Sequence, residues 1–257
     1  MDTSEKQKKR KREIELKRKK QRFLFCAAAL LICGTAAVTL HEKREKEAVL
    51  QKRIVTDEDI PSPLDHEEKQ ENLLVLVNKT HPLPENYEVK LYWLQNKSCA
   101  VAVDMYDALR EMLTDGSEDG REFVVASGYR DADFQRELLE EDIAASMEQE
   151  GLTWQEAYEK ETQETMPPGY SEHETGLAVD IVSLGYQVLD GKQENTKENK
   201  WLRENCSKYG FILRYPKEKE EITGISYEPW HFRFVGKDAA EEITRQGITL
   251  EEYLGEA

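Results

Sequence analysis

The chain carries five histidines, His41, His66, His81, His173 and His231. The last two stand among carboxylates, in Ser171-Glu-His-Glu-Thr-Gly-Leu-Ala-Val-Asp180 and Glu228-Pro-Trp-His-Phe-Arg233. Imidazole beside carboxylate is the chemistry of metal binding and proton transfer. His173-Glu174 begins like a zincin HExxH helix, but Leu occupies position 177, so that motif fails. His173 and Asp180 are seven residues apart. On a helix they would share a face about 10 Å apart along the axis, and on a straight strand they would be farther apart still. They reach one metal only if the chain reverses between them, and Thr175-Gly176 supplies a turn. Asp180 then lies on a strand over Leu177–Ser183, on the face of Ala178 and Val182, with Val179 and Ile181 opposite. A carboxylate within an apolar strand is costly unless paired or metal-bound. For a lone His or Asp, a hydrogen-bonded structural role is the commoner explanation.

In the second stretch Glu228 and His231 are three apart, which on a regular strand turns them to opposite sides. Pro229 breaks the regularity and lets Glu228, at the start of the strand, converge with His231. Two histidines and one carboxylate form a common catalytic zinc set that leaves the fourth position to water. Glu228 is the spare carboxylate, free to accept a proton from that water. Trp230 reads as a core or wall aromatic.

Ser-x-His-x-x-Gly-x-Ala-x-Asp followed by Glu-x-Trp-His resembles the signature of the VanY-type D-alanyl-D-alanine carboxypeptidases, which share a zinc fold with the VanX dipeptidases and the Hedgehog signalling domain. The similarity covers nearly all of residues 72–257. It includes Asn78-Lys-Thr-His-Pro-Leu-Pro84, Ser127-Gly-Tyr-Arg130, Pro168-Gly-Tyr-Ser-Glu-His173, and Leu213-Arg-Tyr-Pro216 leading into Ile222–His231. The resemblance implies one zinc per chain held by His173, Asp180 and His231, with Glu228 as catalytic base. It also implies that Arg130, at the end of a strand, stabilises the oxyanion, and that Gln135, which matches a glutamine the family usually carries, helps bind the substrate. Tyr170 and Ser171 become candidates to hold the substrate's terminal carboxylate. Asp131 stands where relatives more often have Ser. Glu174, adjacent to His173, is the rival base, and its place before the turn points it to solvent.

The elements that must position these residues alternate irregularly. Helices are expected over Ala100–Leu113, Ala132–Gln149, Trp154–Thr162 and Lys197–Tyr209, the last ended by Gly210, with further helix at the C-terminus. Strands are expected over Phe123–Ala126, Ala178–Ser183, Phe211–Arg214 and Trp230–Val235. The irregular order reads as α+β, not a doubly wound sheet. The resemblance implies a small antiparallel sheet carrying the zinc site, flanked by helices. The domain is expected to begin near Asn72, at the apolar run Leu73–Val77.

Upstream lies a different kind of chain. Residues 1–22 hold eleven Lys/Arg against four Asp/Glu, leaving 25 of the 36 basic and 48 of the 52 acidic residues to positions 23–257. The acidic bulk argues against nucleic acid as a partner. Residues 23–40 are uncharged and apolar, close to the minimum for a bilayer span. The basic run before them predicts a cytoplasmic tail, a transmembrane anchor and an extracytoplasmic domain, with residues 41–71 as a charged spacer. A cleaved signal peptide is the rival reading. Cys99 and Cys206 could pair in an oxidising compartment or stand as two buried thiols.

For activity, the resemblance implies removal of the terminal D-Ala of a peptidoglycan pentapeptide stem. L,D-cleavage of a tetrapeptide stem and endopeptidase action remain alternatives. A non-catalytic binding module on the same fold is opposed by the complete set of His173, Asp180, Glu228 and His231.

Overall fold

The protein is described from a computed structural model, over residues 73–94 and 99–257. The basic tail, the apolar stretch 23–40, the spacer 41–71, His41 and His66 lie outside the described residues.

Four strands form one antiparallel sheet in the order β3-β4-β6-β5. They are β3 (Phe123–Ser127), β4 (Ala178–Ser183), β5 (Phe211–Tyr215) and β6 (Glu228–Phe234). Side chains alternate along each strand, and here the two faces differ in chemistry. Val179 and Ile181 of β4, Phe211 of β5, and Phe232 and Phe234 of β6 join one apolar core. The intervening residues, Asp180, Arg214, His231 and Arg233, are as thoroughly buried, but on the opposite face. A sheet with one wholly apolar face and one face of buried ionisable groups must satisfy the second face internally.

Helix α1 (Val103–Glu118) covers the apolar face with Met105, Leu109 and Met112. Helix α2 (Ala132–Glu150) and helix α3 (Trp154–Glu161) pack on each other through Leu139, Ile143 and Ala157. Asp131 caps α2, accepting from Phe134 N at 2.8 Å. Asp and Ser are comparable N-caps, so Asp131 does the capping that a serine would do here. Thr153 and Glu156 form a capping box at α3. Helix α4 (Lys197–Asn205) runs on through a 3₁₀ turn, Cys206–Tyr209, to Gly210 in the left-handed region. A short helix α5 (Glu220–Thr223) precedes β6, and α6 (Lys237–Gln246) and α7 (Leu250–Leu254) end the chain.

One expectation needs correction. Ala100–Ala102 is a strand (β2) paired with β1 (Leu91–Trp93), and the helix begins only at Val103. The Ala-Val-Ala triplet has no strong preference of its own, and its cross-strand partners and Gly176 O, which accepts from Ala102 N at 2.8 Å, decide the matter. Cys99 and Cys206 stand as separate buried thiols, and burial pushes the Cys206 thiol up to about 12. The run at Leu73–Val77 joins neither sheet. Its carbonyls at Leu73 and Val75 instead accept from Arg233 Nη2, at 3.0 and 2.9 Å.

Candidate active site

His173 sits in a one-turn 3₁₀ helix, Glu172–Thr175, closed by Gly176 at φ +71°. Gly176 N donates to His173 O at 3.2 Å, and the chain then enters β4. This is the reversal that seven-residue spacing requires. It sets His173 Nε2 3.3 Å from Asp180 Oδ2. Across the sheet Asp180 pairs in register with His231, whose Nδ1 lies 3.4 Å from Asp180 Oδ1. Glu228 reaches the same point through an irregularity in the β5–β6 ladder. Leu213 faces Phe232, but Tyr215 faces Glu228, so four steps along β6 span two along β5. Asn199 Nδ2 donates to Pro229 O, fixing the chain at this kink. Glu228 Oε2 thereby comes within 3.3 Å of His231 Nδ1.

The donor set suits zinc. One ligand atom each from His173, Asp180 and His231 falls within 4.8 Å of the others, and two imidazoles with one carboxylate match a catalytic zinc site. His173 Nδ1 is committed to Gly128 O at 2.7 Å, which leaves Nε2 for a metal. Asp180 Oδ1 is buried with no hydrogen-bond partner among the described residues. A buried carboxylate oxygen left without a partner is costly, and a cation at this point would satisfy it.

In the metal-free chain the charges here are strongly coupled. Burial opposes ionisation of Asp180, but His173, Arg130 and His231 outweigh it and hold the carboxyl well below its usual range. Burial likewise opposes the charged form of His231, yet Glu172, Glu228 and Asp180 hold it up at about 9. Burial lowers His173, aided by Arg130. Glu228 is pushed up to about 7 by burial, against the pull of His231.

Arg130 follows β3 and is anchored on three sides. It donates to Ser127 Oγ at 2.9 Å, to Asp180 Oδ2 at 2.8 Å and to Gln135 Oε1 at 3.4 Å. Gln135, fully buried, donates in turn to Met166 O at 2.7 Å. Arg130, Gln135 and Ser171 line a pocket of about 230 Å³ together with the four residues of the metal–base cluster. Trp230 is one of its walls. Tyr170 is not among the lining residues and packs instead on the cluster of Met166, Tyr215 and Ile225. Glu174 departs from expectation. It is buried, not turned to solvent, and accepts from Gly169 N at 2.6 Å, so its carboxylate is used to hold the Pro168-Gly169 loop. His81 lies away from the pocket, beside Asn78 and Thr80.

Sequence reasoning assigned no role to Tyr215, Asp142, Glu164 or Glu172, all of which line the pocket. Tyr215 places its ring 4.8 Å from that of His231. Signals existed for Glu172, a carboxylate inside Ser171-Glu-His173, and for Tyr215, inside Leu213-Arg-Tyr-Pro216. Asp142 and Glu164 lie on or beyond a polar helix, where nothing distinguishes them from solvated neighbours.

Comparison with known proteins bears on this geometry. The family described as D-alanyl-D-alanine carboxypeptidase (VanY) matches residues 99–237. The D-alanyl-D-alanine carboxypeptidase of Enterococcus faecalis (strain ATCC 700802 / V583) is 40% identical over 187 residues, 73% of this chain and 67% of that protein. A vancomycin resistance D,D-pentapeptidase VanY from a VanB-type cassette, solved as a mutant in complex with Zn(II), is 39% identical at a TM-score of 0.65, covering 71% of this chain and 99% of that one. The LD-carboxypeptidase LdcB is 37% identical at a TM-score of 0.60, covering 73% and 88%.

Proposed function

Since this chain belongs to the VanY family of D-alanyl-D-alanine carboxypeptidases, we propose that it is a zinc carboxypeptidase that removes the terminal D-alanine from D-Ala-D-Ala-ended peptidoglycan stems. The observation that carries this reading is the convergence of His173, Asp180, His231 and Glu228 at the floor of one pocket.

His173 Nε2, an oxygen of Asp180 and His231 Nδ1 would hold the zinc, which would polarise the scissile carbonyl and make a water acidic near neutral pH. Glu228 takes the proton of the attacking water and returns it to the leaving amine of D-alanine. Burial pushes its carboxyl up and a cation bound beside it would pull it back down, so the group can both accept and return a proton. Arg130 presents a guanidinium where negative charge develops on the carbonyl oxygen. Three anchors hold it there before substrate arrives. Ser171, buried at the pocket wall without a capping hydrogen bond to its own turn, is available for the terminal carboxylate. Gln135 supports Arg130 from behind, and Tyr170 acts through the wall formed with Met166 and Ile225.

The likeness to LdcB favours one second reading, L,D-cleavage of a tetrapeptide stem. Defined penta- and tetrapeptide stems, incubated separately and resolved by mass, decide between them. Loss of one alanine from the pentapeptide alone is expected. Release of alanine from the tetrapeptide alone would overturn the D,D assignment.

Residues 23–40 form the membrane anchor in this reading, with 1–22 cytoplasmic and 41–71 a spacer. The support is the charge asymmetry across the apolar run. Among the described residues no helix is long and apolar enough to cross a membrane.

A further inference from the structure

Behind the pocket, and sharing Glu172 with its lining, lies a second set of charges that the reaction does not use. Arg214, Arg233, Glu172 and Glu251 are buried to 2% exposure or less, and their charges balance. Arg214 binds Glu251 two-pronged at 2.9 and 2.6 Å. Glu172 Oε1 accepts from both Arg214 Nε at 2.7 Å and Arg233 Nη1 at 2.9 Å. Asn78 ties Glu251 to the start of the domain. A buried network of this kind is weak support for stability, since apolar side chains could fill the same space.

The two oxygens of Glu172 have different tasks. Oε1 is saturated by the arginines. Oε2 faces His231 Nε2 at 3.5 Å, longer than a formed hydrogen bond, and among the described residues neither of these buried atoms has any hydrogen-bond partner, so each is left to the other. We infer that Glu172 is the positioning residue for His231. It holds the proton on Nε2 so that Nδ1 presents its lone pair to the metal, and the arginines fix the carboxylate that does so. Outer carboxylates of this kind fix the tautomer and orientation of a ligating imidazole. The inference rests on the zinc reading of the site and adds the element that orients one ligand.

Glu172→Gln makes a sharp test. An amide has a single acceptor oxygen, and the two arginines claim it. Its NH₂ is then turned to His231 Nε2, where it donates and favours the tautomer with the proton on Nδ1, closing that nitrogen to zinc. The zinc dissociation constant of the full chain, measured by chelator competition, should rise about 10- to 100-fold. Glu251→Gln removes an equally buried carboxylate from the same arginine without touching His231. It should lower the Tm of the metal-free protein as Glu172→Gln does, yet leave zinc affinity within about 2-fold. Should Glu172→Gln fail to fold, Glu172→Asp keeps the charge but withdraws the carboxylate by one methylene, and it should weaken zinc by about 10-fold, the lower end of that range. Unchanged zinc affinity in the folded Glu172 variant, or equal weakening in Glu251→Gln, would overturn the inference. A wild-type chain that binds no zinc would instead overturn the reading on which it rests.

Discussion

At the scale of single residues, His231 shows what the metal must displace. Three carboxylates outweigh its burial and keep it protonated up to about pH 9 in the metal-free chain. A ligand imidazole must be neutral, so zinc binding expels this proton at neutral pH. Zinc affinity should therefore rise with pH between about 7 and 9, by up to about tenfold per unit. Calorimetric titration in buffers of different ionisation enthalpy reads the released proton. The sign for stability is opposite. A folded-state pKa above the ordinary value favours folding while the proton is held, so the metal-free chain should lose this contribution as pH rises through about 9. The base can be separated from its rival. Glu228→Gln keeps shape and removes the proton acceptor, so it should retain zinc and lose about 1,000-fold in kcat. Glu174→Gln keeps an oxygen for Gly169 N and should stay near wild type in kcat while losing about 1 kcal/mol of stability. If Glu228→Gln released its zinc, Glu228 would be a ligand. Arg130→Ala should lower kcat about 100-fold with little change in KM, whereas a change confined to KM would make it a ground-state clamp.

At the scale of elements, the site depends on two interruptions of regular structure. One is the left-handed Gly176, which ends the His173 turn and starts β4. A Cβ there would meet Val89 Cγ2 at 3.0 Å and Ala102 N at 3.1 Å, at a φ that L-residues rarely adopt. Gly176→Ala should therefore cost about 1–3 kcal/mol, read as a Tm drop of roughly 3–10 °C. Gly191→Ala, where an added Cβ meets nothing within 4 Å, is the control and should leave Tm nearly unchanged. The other interruption is the β5–β6 irregularity at Pro229, which turns Glu228 toward its histidine. Both were legible as local signals, a Thr-Gly turn and a proline within a strand. The strand character of Ala100–Ala102 was not, because it resides in the partner strand and in Gly176 O.

At the scale of the whole molecule, charge is divided along the chain. A strongly basic start precedes the apolar run, and the rest holds 48 acidic residues. If residues 23–40 anchor the chain with its start inside, protease added to intact wall-stripped cells should remove the catalytic domain. Protection until the membrane is broken would reverse the proposed orientation.

What the sequence determined by itself was the chemistry on offer. Two histidines, one aspartate and one glutamate stood in two short stretches, each with a residue able to bend the chain. Local spacing is enough for such statements because turns and strand alternation act over a few residues. The tertiary structure decided which atoms face which. Asp180 and His231 are 51 positions apart and meet only as a cross-strand pair. Arg214, Arg233 and Glu251 read one by one as ordinary surface charges, and Glu172 only as a carboxylate beside His173. Only the second face of the sheet, closed off from water by the packed chain, makes them mutual partners. Burial and long-range pairing are properties of the folded chain, and Glu174, expected in solvent and found bound to Gly169 N, shows that a residue's own neighbourhood in sequence does not fix them.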